Sequence, residues 1–261
     1  MEDYYYKRIP AVRVASFDVY AVGQSKHHIA ALLEFDVTAA REKLKLLKAS
    51  GETVSFNAWL IKVISSSIRE YPEVASFLYS ERKLIVFRDI NISVLVEKET
   101  DGVKVPIPMV IKKTNEKSVA EITHEINEAK NSQLSSKDVV INKKPDVLER
   151  LYYLMPGFIR RLAWKIILRS PKFAYHKMGN VVVTSPGMFG KLNGWFIHKS
   201  VHPVSFGIGS IIKKPVVIDN EILIREILHI TILIDHDVID GAPMARFLRD
   251  LTKNIESGTE L

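Results

Sequence analysis

Residues Ile234-Asp235-His236-Asp237-Val238-Ile239-Asp240-Gly241 constrain this chain more than any other stretch. The apolar run 227–233 before them reads as a buried strand. The segment Ala242-Pro243-Met244-Ala245-Arg246-Phe247-Leu248 after them starts as a helix starts, with Pro in its first turn. A histidine is thereby delivered at a strand end, with a carboxylate four residues on and a glycine that lets the backbone turn sharply. Read alone, the same octet also fits a surface turn that carries an exposed histidine.

The chain has 261 residues, 47% of them hydrophobic, enough for a sizeable core in one large domain or two small ones. It contains no cysteine. That removes disulfides, thiol nucleophiles, iron–sulfur clusters and most zinc frameworks, and it suits a reducing compartment. Residues 1–13 are tyrosine-rich and charged, without the apolar run of a signal peptide. No stretch reaches the roughly 18 uninterrupted apolar residues of a membrane-spanning helix. These readings predict a cytoplasmic protein. The net charge of +7 suits acidic partners such as phosphates, nucleic acid or an anionic membrane surface. No nucleic-acid recognition motif accompanies it, so no nucleic-acid partner is expected.

Along the chain, residues 27–37 read as a strand and 38–48 as an amphipathic helix with Ala40, Leu44 and Leu47 inward. Ser55 caps a second helix whose apolar face is Trp59, Leu60, Val63, Ile64 and Ile68, and Pro72 stops it. Two β-rich runs, 84–87 and 90–96, precede the turn Thr100-Asp101-Gly102 and a returning strand from 103 to 107. Ser118-Val119-Ala120-Glu121 is a capping box that opens a helix with Val119, Ile122, Ile126 and Ala129 inward. A polar loop is expected over 131–148. A basic amphipathic segment follows, then strands near 180–184, 204–212 and 227–233 and a closing helix over 243–255. Strands and helices are mixed without strict alternation, which predicts a two-layer α/β fold.

Five segments in this order resemble the catalytic domain of the 2-oxoacid dehydrogenase acyltransferases. They are Phe56-Asn57-Ala58-Trp59 with Tyr71-Pro72-Glu73-Val74, Asp89-Ile90-Asn91-Ile92-Ser93-Val94 with Asp101-Gly102-Val103-Lys104-Val105-Pro106, Lys117-Ser118-Val119-Ala120-Glu121-Ile122, Val183-Thr184-Ser185-Pro186-Gly187-Met188-Phe189-Gly190, and the opening His-x-x-x-Asp-Gly pattern, shared with chloramphenicol acetyltransferase. The resemblance spans about residues 24–256. It implies a chloramphenicol acetyltransferase-like fold, a two-layer mixed sheet covered by helices, in a single catalytic domain over 1–261. It also implies a homotrimer or a multiple of three, with the site in a channel between subunits. The basic helical segment at about 147–177 stands as an insertion. The family's lipoyl and peripheral-subunit-binding domains have no counterpart here, which suggests a stand-alone homologue with no covalently attached lipoyl group. Asp237 stands where the complex-forming members usually carry arginine.

The chemistry implied is acyl transfer between coenzyme A and a thiol of dihydrolipoyl type, or another small acceptor. Acyl-coenzyme A is the expected partner, with a lipoylated protein in trans as a candidate acceptor. His236 is the candidate general base: an ordinary imidazole of pKa about 6.5 can accept a proton from a thiol of about 8.5–10. The family's hydroxyl donor to the tetrahedral oxyanion falls on Thr184, with Ser185 adjacent. Asp240 is the candidate loop anchor, through an arginine near the N-terminus, Arg8 or Arg13. Gly241 and Asp237 are candidate substrate-side residues, and Asp237 favours the imidazolium if it points inward. Such chemistry needs no metal, and His198, His202 and His229 lack ligand spacing, so no metal is expected. His27-His28 reads as a solvated pair, and His124 as exposed. The segment Phe158 to Arg169 reads first as a helix packed on the core with a basic outer face. Contact with a membrane surface, an acidic partner or the coenzyme's phosphates are its other readings. The competing function is a non-catalytic trimeric scaffold that keeps the fold and binds partners or lipid.

Overall fold

A computed structural model describes residues 3–7, 12–100, 103–132, 147–185, 190 and 192–261; for 12, 13, 15, 97–100, 103–106 and 147–150 it describes backbone only. Helix α1 (Val12–Gly23) leads into strand β1 (His28–Asp36) and helices α2 (Thr38–Ala49) and α3 (Phe56–Glu70). A 3-10 turn (Pro72–Ala75) precedes β2 (Phe77–Ser80), β3 (Lys83–Ile85), β4 (Ile92–Thr100) and β5 (Val103–Ile111). Four helices follow: α4 (Val119–Asn131), α5 (Val147–Leu154), α6 (Gly157–Leu168) and α7 (Pro171–Met178). The chain ends with β6 (Val181–Thr184), β7 (Val204–Ile218), β8 (Glu221–Asp235) and α8 (Gly241–Glu256).

Six strands form one mixed sheet in the order β1-β8-β7-β6-β4-β5, and β2 and β3 form a separate ribbon. The pairs β4–β6 and β6–β7 are parallel; β1–β8, β7–β8 and β4–β5 are antiparallel. The expected mixed sheet covered by helices is therefore what forms. In β8, Leu228, Ile230, Ile232 and Ile234 alternate onto the face that meets the helices, and all are fully buried. Trp59 of α3 and Phe247 of α8 are buried in the same cluster. The residues between them in β8, from Ile227 to Asp235, are buried too, His229, Thr231 and Asp235 among them, so the run is buried on both faces.

That second face is covered by residues 192–203. Trp195 donates its indole N–H to the Leu33 carbonyl at 3.0 Å and lies over the His229 ring, 4.5 Å between centroids. A Cβ at Gly207 of β7 would sit 2.7 Å from the His198 ring, so glycine there lets the covering segment approach the strand. Gly179 has φ +77 and a Cβ on it would lie 2.3 Å from the Asn91 carbonyl; only glycine ends α7 there against the start of β4.

The capped helices start where their caps place them. Ser55 accepts from the Ala58 N–H, and Ser118 and Glu121 form a complete capping box. Strands β7 and β8 run longer than their apolar cores, because Asp219 and Asn220 take φ of 50° and 64° and close a tight hairpin. The basic segment is two helices, since Pro156, with no N–H to donate, begins α6 and ends α5. The predicted turn at Asp101-Gly102 and the loop core 133–146 lie outside the described residues.

Helix α6 buries no residue fully and packs on α1, not in the core. The expected core-packed helix is thus corrected: only Leu168, near its end, packs on a buried cluster, the small one of Phe77, Ala174 and Tyr175, and the attachment to α1 is polar. Arg160 Nε donates to the buried Asp18 carboxylate at 2.7 Å, the Tyr152 hydroxyl donates to the same oxygen at 2.9 Å, and the Trp164 indole donates to Tyr152 at 3.0 Å. Removing Asp18 leaves these groups without their shared acceptor. Asp18→Ala is expected to accelerate amide exchange over 157–168 by at least about tenfold, with β7 and β8 unchanged; equal exchange in both proteins would show that other contacts dock the pair.

Candidate active site

The turn after β8 is fixed from both ends. Asp235 N–H donates to the Pro203 carbonyl at 2.8 Å, and His236 N–H to the His27 carbonyl at 3.0 Å. Val238 and Ile239 are buried in the core, while His236, Asp237 and Asp240 stay exposed. The sequence expectation of a histidine presented at a strand end matches this placement.

Sequence reasoning missed what holds the turn. The Asp235 carboxylate is fully buried, 2.7 Å from Lys26 Nζ, and its other oxygen accepts from the Asp237 N–H at 3.3 Å. A carboxylate tolerates such a position only when paired and hydrogen-bonded. An aspartate preceding the histidine on an apolar strand was the available signal. Lys26, far away in sequence, gave none.

Asp237 does not face inward as a partner for His236. Its carboxylate meets His27 Nδ1 at 2.8 Å and raises that imidazole above its ordinary range. Asp240 caps α8 without a side-chain cap hydrogen bond, and the side chains of Arg8 and Arg13 lie outside those described. Gly241 departs from expectation: its φ is not positive and it opens α8. The reversal happens within residues 236–239, so the glycine is not needed for a sharp turn. A Cβ there would meet no atom within 4 Å.

Thr184 ends β6 and lines an open cleft with Val182, His198, Lys199 and Tyr20. Ser185 follows half-buried, and 186–189 are outside the described residues. Thr184 pairs with Gly207, which pairs with Thr231 on β8. Five residues at about 3.3 Å and two strand spacings of about 4.8 Å then separate it from His236 by roughly 19 Å within one chain. The protomer does not bring the two candidate groups together.

The remaining histidines divide by environment. His198, in the Thr184 cleft, has Nε2 2.8 Å from the Ser205 hydroxyl, and burial lowers its pKa. His28 Nε2 lies 2.9 Å from the His202 carbonyl, so only His27 of that pair is solvated. His124 is exposed beside Glu128. His202 is buried with Nε2 3.0 Å from the Met178 carbonyl, and burial pushes its pKa to about 4. Among the described residues no three His, Asp or Glu side chains are grouped to hold a metal ion.

The sequence matches the profile of the family described as 2-oxoacid dehydrogenases acyltransferase (catalytic domain) over residues 7–139 and 167–261. It is 28% identical over 262 aligned residues to the lipoamide acyltransferase component of the branched-chain alpha-keto acid dehydrogenase complex of Bacillus subtilis, covering 96% of this chain and 52% of that protein. The chain spans about half the length of the curated relatives it matches. A probable dihydrolipoamide acetyltransferase of Listeria monocytogenes superposes with a TM-score of 0.68 at 24% identity, over 97% of this chain and 95% of that one. A chloramphenicol acetyltransferase superposes with a TM-score of 0.51 at 13% identity, over 96% and 95%. Both likenesses establish the fold.

Lys26→Met leaves Asp235 buried and unpaired and should lower unfolding stability by about 3 kcal/mol in urea titrations. Adding Asp235→Asn should recover most of that loss; no loss in the single variant would remove the ion pair from this role. For His202, the unfolded imidazole near 6.5 takes up a proton at pH values where the folded one, near 4, stays neutral. The unfolded chain binds more protons across that window. The stability from a neutral His202 is therefore complete above about pH 6.5 and falls by about 3 kcal/mol as pH drops toward 4. His202→Gln should flatten this part of the pH–stability curve.

Proposed function

The chain belongs to the 2-oxoacid dehydrogenase acyltransferase (catalytic domain) family, and on that premise we propose that it transfers an acyl group between coenzyme A and a thiol or other small acceptor of dihydrolipoyl type. The observation that carries this reading is that the two matched segments, 7–139 and 167–261, include both Thr184 and His236. The exposed presentation of His236 at the end of β8 supports it further.

In the proposed reaction the neutral imidazole of His236 takes the proton of the acceptor thiol. The thiolate sulfur bonds to the thioester carbonyl carbon, and the electron pair of the C=O moves to oxygen. The Thr184 hydroxyl donates to that oxyanion, with Ser185 as the neighbouring candidate. Collapse re-forms the carbonyl and breaks the bond to the coenzyme sulfur, which regains the proton from the imidazolium. No metal enters any step. The donor is needed most in the tetrahedral state, where one well-placed hydrogen bond is worth roughly 3 kcal/mol.

The roughly 19 Å between Thr184 and His236 in one protomer supports a site shared between copies, His236 of one facing Thr184 of the next, in a homotrimer or a multiple of three. Asp240 acts as the loop anchor in this reading, together with Lys26–Asp235. Gly241 and Asp237 border the acceptor side. A lipoylated protein in trans is one acceptor; a small alcohol or amine is another.

With acetyl-coenzyme A and dihydrolipoamide, His236→Ala should lower turnover by about 100-fold or more with fold and mass unchanged. Thr184→Val keeps the β-branched shape and should lower kcat by about 100-fold with KM for the acyl donor little changed. A larger loss at Ser185→Ala would move the donor one residue on. Mixing the two inactive variants into hybrid oligomers should restore activity, because some interfaces then pair an intact His236 with an intact Thr184. Activity that never returns would place both groups in one chain. Transfer absent from the unmodified protein with every acceptor class would favour a scaffold.

A further inference from the structure

Helix α6 lies mostly within residues 140–166, which the family profile passes over. Its attachment to α1 uses its inner half, where Arg160 reaches Asp18. The outer half is unusual for a surface helix. Phe158 is 67% exposed, Leu162 56% and Ile166 60%. At about 3.6 residues per turn these three form one stripe. Ile159, also exposed, widens it on one side. The exposed cations Arg161 and Lys165 border the other side, and Arg169 closes its end. Leu154, at the end of α5, is 81% exposed beside it.

Ordinary helices turn such apolar positions toward a core, and contiguous exposed ones mark an interaction surface. The charge says which. From residue 151 to 178 the sequence has six lysines and arginines and no aspartate or glutamate. The apolar side chains project from a helix rather than line a groove. An apolar stripe edged by cations on a projecting helix matches the boundary between anionic headgroups and acyl chains, where each side chain meets its own medium. A folded acidic protein would need a complementary hollow for four projecting apolar side chains. A second copy of this region would bring cation against cation. No described helix is long and apolar enough to cross a membrane, so any contact lies on the surface.

We propose that the outer face of α6, with Phe158, Leu162 and Ile166 between Arg161, Lys165 and Arg169, docks the protein peripherally on an anionic lipid bilayer. This does not depend on the acyl-transfer reading. The full chain is sedimented with vesicles of phosphatidylcholine alone and of phosphatidylcholine mixed with phosphatidylglycerol, at low and high salt. The unmodified protein should bind the mixed vesicles at least about tenfold more tightly than the neutral ones. The double variant Leu162→Asp, Ile166→Asp changes only exposed side chains; it should keep its circular dichroism and mass and lose at least about tenfold in binding. Arg161→Gln with Lys165→Gln should lower binding and flatten its salt dependence.

Absence of binding to the mixed vesicles overturns the proposal. So does binding that survives both double variants, which would put the contact elsewhere. A fall in oligomer mass in the aspartate variant would mark a contact between copies, and it counts against the proposal as well. Equal retention on polyglutamate, indifferent to the apolar substitutions, would mark a site for acidic protein instead.

Discussion

Lys26 meets Asp235 at the end of a strand whose last nine residues, Ile227 to Asp235, are buried on both faces. A buried strand must satisfy its last polar groups somewhere before it leaves the interior. Here that happens in one place: the carboxylate takes the lysine and the Asp237 N–H, and the adjoining backbone takes the His27 and Pro203 carbonyls. The next residue, His236, emerges with its backbone fixed and its imidazole outside. Val238 and Ile239 then return to the core and start α8. The exposure of His236 follows from a polar seal placed just before it, and the base role proposed for His236 requires such fixed support.

The helix layer was readable because its signals are local. Ser55 and Ser118 announce their helices within four residues, and the apolar spacing of α2, α3 and α4 gives their buried faces. The strand that carries His236 was readable for the same reason. Helix α1 was not: Val12, Val14, Val19 and Val22 are poor helix formers, and its order depends on docking with α6 through Asp18 and on the close approach of Gly23 to Ser200. Helix α7 is eight residues long and β2 four, too short for periodicity to speak. The lengths of β7 and β8 turned on Asp219 and Asn220, a pair whose tolerance of positive φ was overlooked.

The candidate site divides along the same line. His236 could be named because it ends a β-rich run within a short motif, and Thr184 because the resemblance to the family puts the hydroxyl donor there. Their partners could not, since Lys26, His198 and Tyr20 reach their places only through tertiary packing. Register across three strands then adds what no motif contains: the two groups sit at opposite ends of their neighbourhood in the sheet. In the shared-site reading proposed above, the Thr184 cleft of one copy would receive the His236 turn of another.

Helix α1 joins the family-matched part of the fold to the inserted helices α5 and α6. Within two residues it carries Asp18, turned toward α6, and Tyr20, on the rim of the Thr184 cleft. Asp18 is nearly sealed from water, and its two partners lie on different elements, Tyr152 on α5 and Arg160 on α6. The paired helices therefore cannot shift without either breaking a buried ion pair or carrying α1 along. Breaking it is unfavourable, because Asp18 would be left charged and unpaired. Helix α1 therefore holds the Asp18 ion pair on one side and borders the Thr184 cleft through Tyr20 on the other. The inserted helices meet the site only through α1, since none of their described residues lines the Thr184 cleft.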